Sequence, residues 1–210
     1  MICIKFISHR GNNSHGFKEN TKCAILSSLS NSYISGVEFD IRLTKDKKII
    51  VYHDSMIMLN NSLYFIDKLN LFDLKDELIN TLDEVLVSIK VSKILLIEIK
   101  YEGKDYKDVA DVVYKCLNKY AFLNVYLCSF NHKLIKYFKK KYDFKCGVIV
   151  SKLFNSYRMF GFLDFNVIRY DLYKVVSNKE TFVWNVNSKR LLSKMDNDTY
   201  IITDKAYSFK

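Results

Sequence analysis

The stretch Gly36-Val37-Glu38-Phe39-Asp40-Ile41-Arg42-Leu43 decides how this chain folds. Its β-branched and aromatic residues favour a strand, and successive side chains of a strand point to opposite faces. Val37, Phe39 and Ile41 therefore share one face, while Glu38 and Asp40 share the other. The apolar face calls for a covering layer of helices. Carboxylates directed into an interior are costly unless a cation or a base compensates them. The run Ile94–Lys100 (ILLIEIK) repeats the arrangement, with Glu98 and Lys100 on one face and Ile97 and Ile99 on the other.

Outward from these two strands, β-rich runs alternate with helical patterns along the whole chain. Strands are predicted at Ile2–Ser8, Gly36–Leu43, Ile49–His53, Ile94–Lys100, Asn124–Phe130, Cys146–Val150, Phe165–Tyr170, Thr181–Asn185 and Tyr200–Asp204. Helices are predicted at Asn20–Ser30, Thr81–Lys90, Lys107–Tyr120, His132–Lys141, Phe154–Phe162, Asp171–Ser177 and Ser188–Met195. Asn20 or Thr21 can cap the first, and Thr81-x-x-Glu84 is a capping box for the second. Strands alternating with helices imply a parallel sheet. With Ile49–His53 taken as an extension of the second strand, about eight units remain, enough to close a compact (β/α)8 TIM barrel. A doubly wound open sheet is the alternative. No linker, repeat or low-complexity tract divides residues 1–210, so a single domain is expected.

Composition narrows the function classes. Hydrophobic residues make up 49% of the chain, which excludes a disordered protein. No apolar run reaches the roughly 20 residues of a membrane span, and the N-terminal apolar stretch is too short for a signal-peptide core. A cytoplasmic protein is the expectation. The five cysteines are odd in number, scattered and without CxxC spacing, and are read as reduced and structural. A net charge of +10 suits an anionic partner, namely a phosphorylated small substrate or peripheral contact with an anionic membrane. Lys133–Lys141 reads as a solvated helix face, and no nucleic-acid-binding module is present, so nucleic acid is not expected.

Polar residues recur where barrel strands end, the place where TIM barrels carry function. His9 and Arg10 follow the first strand, Glu38 and Asp40 lie on the second, His53 and Asp54 end its extension, and Glu98 and Lys100 end the next. Three carboxylates of oxygen type suit a hard divalent ion, Mg2+ or Ca2+. A surface charge pair at Glu38 and Asp40, or a structural ion pair at Glu98 and Lys100, would be the bland alternatives. His15 and His132 read as a solvated loop residue and a helix-start residue. Asp204 reads as a structural hydrogen-bonding group.

Ser8-His9-Arg10-Gly11, Glu19-Asn20-Thr21, Gly36-Val37-Glu38-Phe39-Asp40 with Thr44-Lys45-Asp46, His53-Asp54 and Ile97-Glu98-Ile99-Lys100 resemble, in order, the motifs of glycerophosphodiester phosphodiesterases. Thr81–Leu86, Ser129-Phe130, Trp184–Asn187 and Ile201–Asp204 extend the resemblance over essentially the whole chain. It implies that His9 and His53 are the catalytic acid–base pair, with neither role assigned to either. It implies further that Glu38, Asp40 and Glu98 hold the metal, and that Arg10 and Lys100 contact phosphate. Trp184 would line the substrate pocket. The implied reaction yields sn-glycerol 3-phosphate and an alcohol, through attack by the substrate's neighbouring hydroxyl and a cyclic phosphate. Ser55–Asn80 is shorter than the family's insertion after the second strand, so a reduced cap is expected. A lysophospholipid or a glycerol-phosphate polymer then becomes an alternative substrate. A non-catalytic barrel binding phosphodiesters or anionic surfaces is the alternative from another class.

Overall fold

The computed structural model describes residues 4–11, 16–75, 78–151, 163–175 and 180–209. The predicted helix at 154–162, the last two residues of the one at 171–177, His15 and Cys3 lie outside these residues. Eight parallel strands close into a barrel: β1 (Lys5–Ser8), β2 (Ile34–Leu43), β6 (Ile94–Ile99), β7 (Val125–Ser129), β8 (Lys145–Val150), β9 (Phe165–Arg169), β10 (Glu180–Trp184) and β11 (Tyr200–Thr203). Closure comes from β1, which pairs with β11 on one side and with β2 on the other. This is the TIM barrel expected from the alternation of elements.

The parity of the first two strands holds. Val37, Phe39 and Ile41 are buried against Ile25 and Leu29 of helix α1 (Lys22–Ser30) and against Val85 and Leu86 of α2 (Leu82–Leu86). Ile97 and Ile99 join the same layer, beside α3 (Tyr106–Leu117) and α4 (His132–Lys141). Inside the barrel, Ile7, Leu96, Ile149, Val167 and Ile202 pack with Tyr126, Phe165 and Phe182. Thr21 caps α1 and the Thr81–Glu84 box caps α2. α4 buries Leu134, Ile135 and Phe138 and leaves its lysines outside, as the charge pattern predicts. Among the described residues no disulfide forms, and no helix is long and apolar enough to cross a membrane.

One strand departs from expectation. Ile49–Val51 (β3) does not extend β2 but folds back antiparallel on it, pairing Ile41 with Val51 and Leu43 with Ile49. The reversal is a tight turn over 44–48, where Thr44 N–H donates to the Lys48 carbonyl and Lys47 takes a φ of 58°. Turn residues announce a break in a strand but not the direction of the next one. β4 (Met56–Leu59) and β5 (Ser62–Phe65) then form a separate hairpin, followed by 3-10 turns at Ile66–Lys68 and Leu71–Leu74. These elements fill the segment where the sequence leads one to expect a reduced cap, and none of them lines the catalytic cavity. α5 (Lys189–Leu192) is one turn inside the longer predicted helix.

Gly36 pairs with Ile94 of β6 and leaves no room for a side chain. A Cβ there would lie 2.4 Å from the Ile94 carbonyl oxygen, an atom of the paired backbone. Gly36→Ala is therefore expected to destabilise the barrel by about 1–3 kcal/mol, the usual cost of overpacking, read as a lower urea midpoint at unchanged m-value.

Candidate active site

Register brings the carboxylates together. β2 and β6 pair so that Asp40 lies beside Glu98 and Glu38 beside Leu96, with the two carboxylate-bearing faces turned inward. Glu38, Asp40 and Glu98 are 5%, 1% and 8% exposed, and each offers an oxygen within 4.8 Å of the others'. Burial raises the Glu38 carboxyl to about 8, helped by the charge of Asp40, and the same two causes raise Glu98 to about 7. Lys100, just past β6, answers part of this charge, lying 2.7 Å from Glu98 and 3.3 Å from Asp40. Its burial disfavours the ammonium, but the two carboxylates outweigh that and raise its pKa.

The loop after β1 carries the first histidine. Arg10 adopts a left-handed φ of 54° and Gly11 one of 70°. Glu38 holds the turn, its side chain accepting from Arg10 N–H at 3.0 Å and its carbonyl from Gly11 N–H at 3.3 Å. Gly11 also passes close to α1, where a Cβ would lie 2.8 Å from the Ala24 backbone. Turned this way, the Arg10 guanidinium reaches Asp40 at 3.4 Å and Glu19 at 2.7 Å.

His9 Nδ1 lies 2.5 Å from Asp204 at the end of β11, which leaves Nε2 on the Glu38 side at 3.9 Å. Burial opposes protonation of the ring, but the Asp204 hydrogen bond and the Glu38 charge prevail and raise its pKa. The same hydrogen bond lowers the pKa of Asp204. Asn187 Nδ2 donates to Asp204 from 2.6 Å, fixing the carboxylate in turn. His53 is reached differently. β3 delivers it beside β2, where Tyr52 N–H donates to the Asp40 carbonyl, Arg42 Nε donates to the His53 carbonyl, and its Nδ1 meets Asp54 at 2.7 Å.

All seven residues meet in one cavity of about 300 Å³ at the C-terminal end of the barrel. His9, Arg10, Glu38, Asp40, His53, Glu98 and Lys100 form its polar side. Trp184 and Phe130, stacked edge to face at 6.4 Å, and Ile149, Val167 and Ile202 form its apolar side. Trp184 thus both lines the cavity and packs on the barrel core. His132 stays at the start of α4, outside the cavity lining.

A model of the family described as "Glycerophosphoryl diester phosphodiesterase family" matches residues 9–169, most of the chain. The chain belongs to that family. Members of the glycerophosphoryl diester phosphodiesterase family are phosphoric diester hydrolases. An uncharacterised protein of Mycoplasma genitalium is 29% identical over 162 residues, covering 69% of this chain and 68% of that protein. The crystal structure of a glycerophosphodiester phosphodiesterase from Thermotoga maritima superposes with a TM-score of 0.80 at 26% identity, over 98% of this chain and 96% of the other. A phosphodiesterase from Oleispira antarctica, in complex with its product sn-glycerol-3-phosphate, superposes with a TM-score of 0.84 at 20% identity, over 97% and 94%.

Three residues were not assigned to the site from the sequence. Asn20 is not the helix cap. Its side chain exchanges two hydrogen bonds with Asp40, at 2.8 Å to the carboxylate and 3.0 Å from the backbone N–H, which orients the carboxylate. Asp204 is a hydrogen-bonding residue as expected, but its partner is His9. Asn185 lines the cavity with Nδ2 beside His9 and Asp204, while its Oδ1 and the Trp184 Nε1 are buried without a partner among the described residues. The Glu19-Asn20-Thr21, Trp184–Asn187 and Ile201–Asp204 motifs signalled these positions, and none names a contact.

The donor set fits a hard divalent cation. Three clustered, all-oxygen carboxylates repel one another, which together with burial raises the pKa values of Glu38 and Glu98, and a cation among them removes the repulsion. Glu38, Asp40 and Glu98 would hold it.

Proposed function

We propose that this protein hydrolyses glycerophosphodiesters to sn-glycerol 3-phosphate and an alcohol, in a divalent-metal-dependent reaction with His9 and His53 as the acid–base pair. The observation that carries the reading is the convergence of two imidazoles, three acids and two cations on one half-apolar cavity. The product bound to the Oleispira antarctica relative supports a small phosphodiester as substrate.

Held by Glu38, Asp40 and Glu98, a Mg2+ or Ca2+ ion supplies Lewis-acid stabilisation of charge on a non-bridging phosphate oxygen. Arg10 and Lys100 neutralise the remaining phosphate charge, and the arginine fork can hold two oxygens at once. Formal charges then balance, with three carboxylates and one diester against a divalent ion, Arg10 and Lys100. One imidazole accepts the proton of the attacking hydroxyl as the new P–O bond forms. The other donates a proton to the oxygen of the alcohol as its P–O bond breaks. Opening of a cyclic phosphate by water reverses the two roles. Asp204 holds the Nδ1 proton of His9 and directs Nε2 into the cavity. The unpartnered Trp184 N–H and Asn185 carbonyl oxygen suit the hydroxyls of a glycerol moiety.

Purified protein with Mg2+ or Ca2+ is expected to release glycerol 3-phosphate from glycerophosphocholine and to stop on addition of EDTA. Tight binding of the diester without turnover would leave the non-catalytic barrel as the better reading. Turnover that persists in EDTA would remove the metal from the proposal.

A further inference from the structure

Strand parity continues one step past the two acids of β2. Glu38, Asp40 and Arg42 are successive residues of one face, so Arg42 follows the carboxylates toward the catalytic end of the barrel. It does not line the catalytic cavity, yet its side chain is only 12% exposed. The guanidinium makes two kinds of contact. Nε donates to the His53 backbone carbonyl from 2.8 Å, while Nη1 and Nη2 each donate to the Glu102 carboxylate at 3.3 Å. The Glu102 side chain is 72% exposed, and so wet an ion pair contributes little. The bond to the carbonyl is shorter, charge-assisted and made by a largely buried donor.

His53 has little else to hold it to the barrel. β3 ends at Val51, and one further backbone bond follows, from Tyr52 N–H to the Asp40 carbonyl at 3.0 Å. His53, Asp54 and Ser55 lie outside any strand. The ring's own partner, at 2.7 Å, is the well-exposed Asp54, the next residue along the chain. That contact orients the ring within its segment but does not tie the segment to the barrel. His9 is placed differently, with its N–H on the Thr203 carbonyl and its ring on Asp204, both at the end of β11. For His53 the corresponding tie to a barrel strand runs through the Arg42 side chain.

We infer that Arg42 is a positioning residue for His53, fixing that imidazole relative to the carboxylates borne by the same strand. Resting on the phosphodiesterase reading, its contribution falls in the chemical step, where a displacement of about 1 Å costs on the order of 10²-fold. Arg42 stays outside the cavity, so the effect passes through the His53 backbone.

The test compares two substitutions in the full chain. Arg42→Gln carries an amide nitrogen at the position of Nε, so it can still donate to the His53 carbonyl while losing the fork to Glu102. Arg42→Met keeps the stem and loses every donor. With saturating Mg2+ and glycerophosphocholine, kcat is expected to fall by about 10–100-fold in Arg42→Met, with KM and Mg2+ affinity held. Arg42→Gln is expected to stay within about threefold of wild type. On a His53→Ala background Arg42→Met should add no further loss, because the ring it positions is already gone. A merely structural arginine would instead lower the thermal midpoint and reduce kcat in both backgrounds alike. NMR resonances of the His53 ring give a readout independent of turnover. They should move in Arg42→Met and hold in Arg42→Gln, with the His132 ring as reference. Full kcat in Arg42→Met, an undiminished loss on the His53→Ala background, or unmoved His53 resonances overturns the inference. Equal losses in the two variants would transfer the role to the Glu102 contact and overturn it as well. Should Arg42→Met not fold, Arg42→Gln decides alone, since a displaced His53 ring or a kcat as low as that of His53→Ala contradicts it. A wild type that turns over no diester removes the phosphodiesterase reading, and the ring resonances then decide whether Arg42 holds His53.

Discussion

His9→Ala should lower kcat for glycerophosphocholine by about 10²–10⁴-fold, the usual worth of a positioned acid or base, with a much smaller change in KM. The ring contributes one proton-transfer atom, Nε2, and little binding surface, so the loss belongs in the chemical step. His53→Ala should do the same, and the double variant should lose little more than either alone, because the two transfers serve one reaction. Asp204→Asn separates positioning from chemistry. It keeps the size of the side chain but removes the charge that favours imidazolium, so kcat should fall less than in His9→Ala while KM holds. The Asp204 hydrogen bond and charge both raise the His9 pKa. In Asp204→Asn that pKa should therefore drop, which an NMR titration of the ring proton would record. A fully active His9→Ala protein would dispose of the proposed acid–base pair.

The second large effect concerns the acids. Glu38→Gln, Asp40→Asn and Glu98→Gln should each abolish metal-dependent turnover, and each should cancel the rise in thermal midpoint that saturating Mg2+ or Ca2+ gives the wild type. At a free ion concentration of 100 times Kd that rise corresponds to about 2.7 kcal/mol. The two effects of Glu38→Gln should run in opposite directions. Without metal, the wild type holds a buried carboxyl raised to about 8 by desolvation and by Asp40. Ionising that carboxyl costs stability as pH rises toward 8 and above, a cost glutamine lacks while it can still accept from Arg10 N–H, so above about pH 8 the metal-free variant should melt no lower than the metal-free wild type. If neither ion moves the wild-type midpoint, the triad is not a metal site.

Much of the site was visible in the order of residues because strand parity is local. Glu38, Asp40 and Glu98 alternate with buried Val37, Phe39, Ile41 and Ile97, and that pattern alone separates an inward polar face from an outward apolar one. The helix caps at Thr21 and Thr81 and the amphipathic α4 were legible for the same reason. His53 was placed at the right end of the barrel, although the strand that carries it runs the other way. Strand direction depends on which neighbour supplies hydrogen bonds, and β3 finds its partners on β2 through a tight reversal at residues 44–48.

The contacts that tune the site bring together distant positions. His9 meets Asp204 across 195 positions, and this is possible only because β1 closes the barrel against β11. Asn20 finds Asp40 because two left-handed residues, Arg10 and Asn20, are joined by a backbone hydrogen bond that folds the loop onto β2. The hairpin tells the same story, since only the register places Met58, Leu63 and Phe65 together on one exposed face. By itself the sequence determined which residues alternate, which cap, and which acids and bases stand at strand ends, because those properties need only near neighbours. Closure, register and strand direction belonged to the tertiary structure, because they come from hydrogen bonds between segments whose separation along the chain says nothing of their separation in space.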